Sequence, residues 1–86
     1  MKVQIINSNE LRGILEKSRM STDIRHSGWR VEVYSKENEI SVLLTGNGGD
    51  FECAQLASAF HSTYSHLFTP NYKVNFYRVP TAVDRG

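Results

Sequence analysis

The sequence predicts a single α+β domain, a βαββαβ sandwich with a four-stranded antiparallel sheet and two helices on one face. Three observations carry that expectation. Four short segments alternate apolar with polar residues, which is the period of a half-buried strand. Two segments place apolar residues three and four apart, the period of a helix packed along one side. With 86 residues and 40% hydrophobic side chains, the chain can build one small core and not two. Residues 1–80 form the expected domain. Residues 81–86 read as a short polar tail that frays.

The first segment, Lys2 to Ile6, sets Val3 and Ile5 against Lys2 and Gln4 and reads as a short strand. Asn7 follows, with Glu10 three residues later, close to a capping box that opens a helix. Leu11, Ile14, Leu15 and Ser18 then keep helical spacing to about Arg19. Gly13 interrupts this helix at a cost of about 1 kcal/mol relative to alanine. Close packing against a strand would explain it. Residues 18–28 are polar and read as a connection between patterned regions.

Trp29 to Tyr34 alternates strictly, Lys36 to Glu39 makes a polar turn, and Ile40 to Thr45 forms the next strand. Two such runs across a short turn predict an antiparallel hairpin. Gly46-Asn47-Gly48-Gly49 breaks the strand, with Asp50 placed to cap a second helix and Glu52 in its first turn. Cys53, Leu56, Phe60, Tyr64 and Leu67 form the apolar stripe of that helix, and Thr69-Pro70 ends it. The last strand is Tyr72 to Val79, with Val74 and Phe76 on one side.

Strand, helix, strand, strand, helix, strand, joined by right-handed crossovers around the hairpin, is the ferredoxin-like arrangement. Numbering the four expected strands in chain order, the sheet would run 4-1-3-2. The alternative is a fold in which the short first strand does not pair.

Several function classes fit poorly. Ten basic against nine acidic residues give a net charge of +1, which speaks against a purely electrostatic binder of nucleic acid or membranes. No apolar run approaches the ~20 residues needed to cross a bilayer, and the first residues lack a signal-peptide pattern. A single cysteine, Cys53, excludes an internal disulfide and suits a reducing, cytoplasmic setting. An RNA-recognition motif shares the element order but stacks bases on aromatic residues of its first and third strands. Neither corresponding strand here carries one. A double-stranded-RNA domain ends in a basic helix, whereas this chain ends in a strand.

Chemistry-bearing patterns are sparse. The glycine turn, residues 46–49, sits between strand and helix where backbone amides can cradle phosphate. It lacks the third glycine of GxGxxG, has no GK[ST], and is flanked by Asp50 and Glu52. The plainer reading is a turn that uses glycine for positive φ. His61 and His66 are five apart, which rotates one ring about 140° from the other on a helix and spoils a zinc pair. His26 lies apart in the polar segment. Cys53 falls on the core stripe, as buried cysteines ordinarily do. Glu10, Glu16, Glu37 and Glu39 form no dyad by spacing. No metal, no cofactor and no enzymatic activity are therefore expected.

The sheet face away from the helices carries the functional expectation. If Val3, Ile5, Val31, Val33, Ile40, Val42, Leu44, Val74 and Phe76 point inward, the opposite set includes Ile6, Arg30, Tyr34, Leu43, Lys73 and Tyr77. Tyrosine and arginine are enriched at protein interfaces. Arg30, Tyr34, Leu43, Lys73 and Tyr77 are the candidate partner-binding residues, for another macromolecule or a homodimer. A merely solvated face is the bland alternative. Charge is uneven: Lys17, Arg19, Arg25 and Arg30 cluster against Asp23, while Glu37, Glu39, Asp50 and Glu52 gather mid-chain. The expected function is a small non-enzymatic binding protein that regulates or inhibits a larger protein or nucleoprotein, a class common in phages and mobile elements. Nucleic-acid binding through residues 17–30 and the sheet face is the first alternative. A small-ligand or enzymatic domain using the glycine turn is the second.

Overall fold

The structure is a computed structural model that describes residues 2–67 and 71–80. Its elements are β1 (Gln4–Ile5), α1 (Ser8–Lys17), β2 (Arg19–His26), β3 (Trp29–Lys36), β4 (Glu39–Thr45), α2 (Asp50–Tyr64), a 3-10 turn (Ser65–Leu67) and β5 (Lys73–Val79). The α+β class holds. The four-stranded ferredoxin-like layout does not: the sheet has five strands in the order β1-β5-β4-β3-β2. It is mixed, with β1 and β4 parallel to β5 and the other pairs antiparallel.

Two differences produce this topology. Residues 18–28, expected to be a loop, contain strand β2, joined to β3 by a two-residue turn at Ser27 and Gly28. Both residues have positive φ, 52° and 82°, as a type I′ hairpin turn requires. The final strand also inserts between β1 and β4 instead of pairing outside the first strand.

These changes separate the helices. The connections β4-α2-β5 and β1-α1-β2 both join parallel strands, but they step in opposite directions along the sheet. A shared right-handed preference then places the two helices on opposite faces. Packing agrees. Trp29, Val31, Val33, Ile40, Val42, Leu44 and Phe76 bury against Cys53 and Ala57 of α2, while Ile6, Tyr34 and Leu43 pack with Leu11 and Ile14 of α1. Strand alternation thus assigned the two faces of β3, β4 and β5 correctly, but both are roofed, and Ile5 of β1, expected inward, is 66% exposed.

Local chemistry fixes the helix ends. Asn7 caps α1, its side-chain oxygen accepting from the Glu10 amide at 2.8 Å. Asp50 is not the cap of α2. Gly49 occupies that position without a side-chain bond, and the Asp50 carboxylate pairs with Arg78 instead. Gly13 has nothing within 4 Å of where a Cβ would sit, so close packing does not explain it. The expected stop at Thr69-Pro70 and the tail 81–86 lie outside the described residues. No helix among the described residues is long and apolar enough to cross a membrane.

Candidate functional site

A helix with its side chains is about 10 Å wide and covers two or three strands spaced about 4.8 Å apart. Five strands under α2 therefore leave a margin, and it opens on the β2 side. Only Ile24 of β2 is even half-buried. Between β2 and α2 runs a groove of two adjoining cavities that share Phe60 and Tyr64. The larger, about 280 Å³, is lined by Ser21, Thr22, Val33, Ser35, Ile40, Phe60, Tyr64 and Tyr72. The smaller, about 250 Å³, continues past Ile24, His26, Val31, Leu56, Ala59 and Thr63.

The aromatic wall is held in place by its own contacts. Phe60 meets Tyr64 at 4.6 Å between ring centroids and Phe76 edge-on at 6.2 Å. Tyr72 is 37% exposed at the rim. The opposite wall is strand β2 with a bulge between Met20 and Thr22, where the Ser21 hydroxyl donates to the Val33 carbonyl at 3.2 Å. Apolar walls with a few hydroxyls are what a docked apolar side chain needs for burial and orientation.

The five residues proposed from sequence are placed differently. Leu43 is 1% and Tyr34 7% exposed, both under α1, and Tyr77 is half-buried beside them. The expectation of an open face fails there because α1 crosses it. Arg30 makes a two-point bond to Asp23, Nε to Oδ1 at 3.1 Å and a terminal nitrogen to Oδ2 at 2.9 Å, and approaches Glu32 at 3.6 Å. The hydrogen bond from Arg30 holds the Asp23 carboxyl below the ordinary range. Lys73 is exposed at the start of β5, its amide donating to the Asn38 carbonyl. The structure packs Tyr77 against buried Tyr34 and Leu43; Arg30 is linked to Tyr34 through the Glu32 carboxylate they share, while Lys73 stands exposed at the start of β5.

Burial also sets the tyrosine chemistry. Desolvation raises the Tyr34 pKa, helped by the charge of Glu32, which accepts its hydroxyl at 3.2 Å. Burial raises Tyr77, with Glu10 and Glu39 adding to the effect. Cys53 is pushed up by burial against the opposing pull of Arg78. A nucleophilic thiol needs a lowered pKa and access; Cys53, 1% exposed, has neither.

The glycine turn belongs to a different cluster, at the end of β4. Arg78 bonds to Asp50 and to the Gly48 carbonyl, and its guanidinium lies 5.6 Å from the centroid of the Trp29 ring. The indole N–H donates to Glu52 at 2.5 Å. Gly28 is the glycine with positive φ among the described residues, so residues 46–49 are not there for that reason. Gly46 lies against the indole, and Gly48 against the Glu52 carboxylate and the indole together: a Cβ at either would fall 2.9 Å from a ring carbon. The Arg78–Asp50 pair also ties β5 to the first turn of α2. Among the described residues no three His, Cys, Asp or Glu side chains gather as metal ligands.

Sequence reasoning placed Phe60 and Tyr64 on the core stripe and missed the groove, because it missed β2. The signals were present: Ser27-Gly28 is a turn dipeptide, and Thr22, Ile24 and His26 alternate before it. Comparison of the chain with protein-family models, with curated proteins and with solved structures finds no match.

Proposed function

We propose that this chain is a small non-enzymatic binding protein that regulates or inhibits a larger protein, and that it holds its partner through the cavity formed by Ser35, Ile40, Phe60, Tyr64 and Tyr72. The observation behind this reading is the aromatic groove left uncovered between α2 and β2. A pocket of about 280 Å³ takes one bulky apolar side chain, and the hydroxyls of Ser21, Thr22 and Ser35 suit the peptide backbone on either side of it. Clustered aromatics around one pocket supply the type of anchor contact that dominates protein interfaces. The buried, protonated state of Cys53 supports a role without nucleophilic chemistry.

The test is selection of a displayed random-peptide library on the immobilised protein. Peptides carrying an aromatic or branched aliphatic anchor should be enriched, and should lose binding to Ser35→Arg, which fills the pocket, and to Tyr72→Ala, which removes its rim. Both positions are at least partly exposed, so folding is expected to survive. Absence of enrichment, or equal binding to both variants, would overturn the reading.

A further inference from the structure

Among the described residues no strand pairs with the outer edge of β2. The strand is eight residues long, and seven of them are exposed. Long open edges are usually covered, or they pair with another chain.

Its charges point to one occupant. Arg25 stands directly opposite the like-charged Arg30 in the β2-β3 ladder, and Arg30 is itself committed to Asp23. Arg25 makes no salt bridge among the described residues. A cation is thus left at the edge, two residues from an acid on the same face of the sheet.

We propose that β2 is the seam of a symmetric homodimer in which Ile24 pairs with Ile24 of a second copy and Asp23 faces Arg25 across the two-fold axis, twice. Symmetry selects that register. Two identical edges pair antiparallel about an axis perpendicular to the sheet, so a residue must sit on the axis and opposed residues share a face. Centring on Asp23 opposes two carboxylates, and centring on Arg25 opposes two guanidinium groups. Like charges in that position are destabilising. Centring nearer Met20 runs into the bulge.

Only Ile24 on the axis joins unlike charges on the α1 face, while stacking two half-buried isoleucines on the α2 face. The same axis keeps both α2 helices on one side, so Leu56 and Phe60 of each copy face the seam. The larger cavity beside Tyr72 stays open at each end. This proposal stands on the edge strand alone and does not need the partner reading above.

Sedimentation of the intact chain over a range of concentrations tests it, with two variants. The wild type should show a monomer–dimer equilibrium that weakens with added salt. Arg25→Asp, at an exposed position, turns two attractions into two repulsions and should raise the dissociation constant about tenfold or more. Ile24→Cys should oxidise to a covalent dimer. Thr22→Cys should not, because the two copies of residue 22 lie about 13 Å apart along the seam, beyond disulfide reach. Circular dichroism checks that each variant is folded. A wild type that stays monomeric at millimolar concentration overturns the proposal. So does a dimer indifferent to Arg25→Asp, or one that Thr22→Cys crosslinks as readily as Ile24→Cys.

Discussion

Gly46→Ala should destabilise the protein although its backbone can accommodate alanine. Gly46 does not have a positive φ, so the usual conformational argument for glycine predicts a gain of about 0.4–1 kcal/mol from a stiffer unfolded chain. The structure opposes it. An added Cβ falls on the fused edge of the Trp29 ring, 2.9 Å from Cε2 and nearer still to two other ring carbons. The ring cannot give way cheaply. It is 2% exposed, its N–H is fixed on Glu52 at 2.5 Å, and Arg78 lies over it. Overpacking of this kind costs about 1–3 kcal/mol. The net expectation is a loss of about 1–2 kcal/mol, or a fall in Tm of about 4–8 °C for each kcal/mol. Gly13→Ala is the matched control. Nothing lies near its would-be Cβ, and it sits inside α1, so it should stabilise by about 0.5–1 kcal/mol. Urea unfolding followed through Trp29, the single tryptophan, measures both. A Gly46→Ala variant as stable as the parent would refute the close-approach argument.

Leu43→Ala should cost about 2–5 kcal/mol, the range for a fully buried leucine, because Leu43 lies under α1; a near-neutral denaturation midpoint would mean that α1 leaves this face. Tyr34 and Tyr77 have folded pKa values above the ordinary tyrosine value of about 10. The folded state therefore holds protons that the unfolded chain gives up first. The stability this contributes is complete below about pH 10 and is lost as pH rises through the folded values. Urea midpoints measured from neutral to strongly alkaline pH should fall less steeply in Tyr34→Phe/Tyr77→Phe, and equal slopes would refute the assignment.

How far the fold was legible follows from what each signal measures. Alternation reports which face of a strand a residue occupies, and it placed Val33, Val42 and Phe76 opposite Tyr34, Leu43 and Tyr77 correctly. It does not report what covers a face. The burial of Leu43 depends on a helix some thirty residues earlier in the chain. Capping signals are local and performed as local signals do: Asn7 caps α1, while Asp50 was drawn away by Arg78, a partner 28 residues distant. Strand order was the least legible feature. It turns on whether β5 pairs with β4 on the near side of β1, a choice between two edges with similar apolar faces. The strand β2 was hidden because an edge strand with both faces largely wet has no hydrophobic pattern to show, and only Ile24 and the Ser27-Gly28 turn betray it.

That same wetness locates the open surface of the molecule. Each helix covers the middle of one face, and β1 is only two residues long, so the β1 edge offers little backbone. The β2 edge offers eight residues and lies beside the margin that α2 leaves bare. Solvation, which made the strand unreadable as a core element, also leaves its backbone edge open among the described residues. Arg19, Asp23, Arg25 and His26 keep this edge charged and solvated, which resists random pairing, and in the proposed dimer the two-residue spacing of Asp23 and Arg25 admits a complementary strand in one register. In that dimer the charges that guard the edge are also the ones that select what pairs with it.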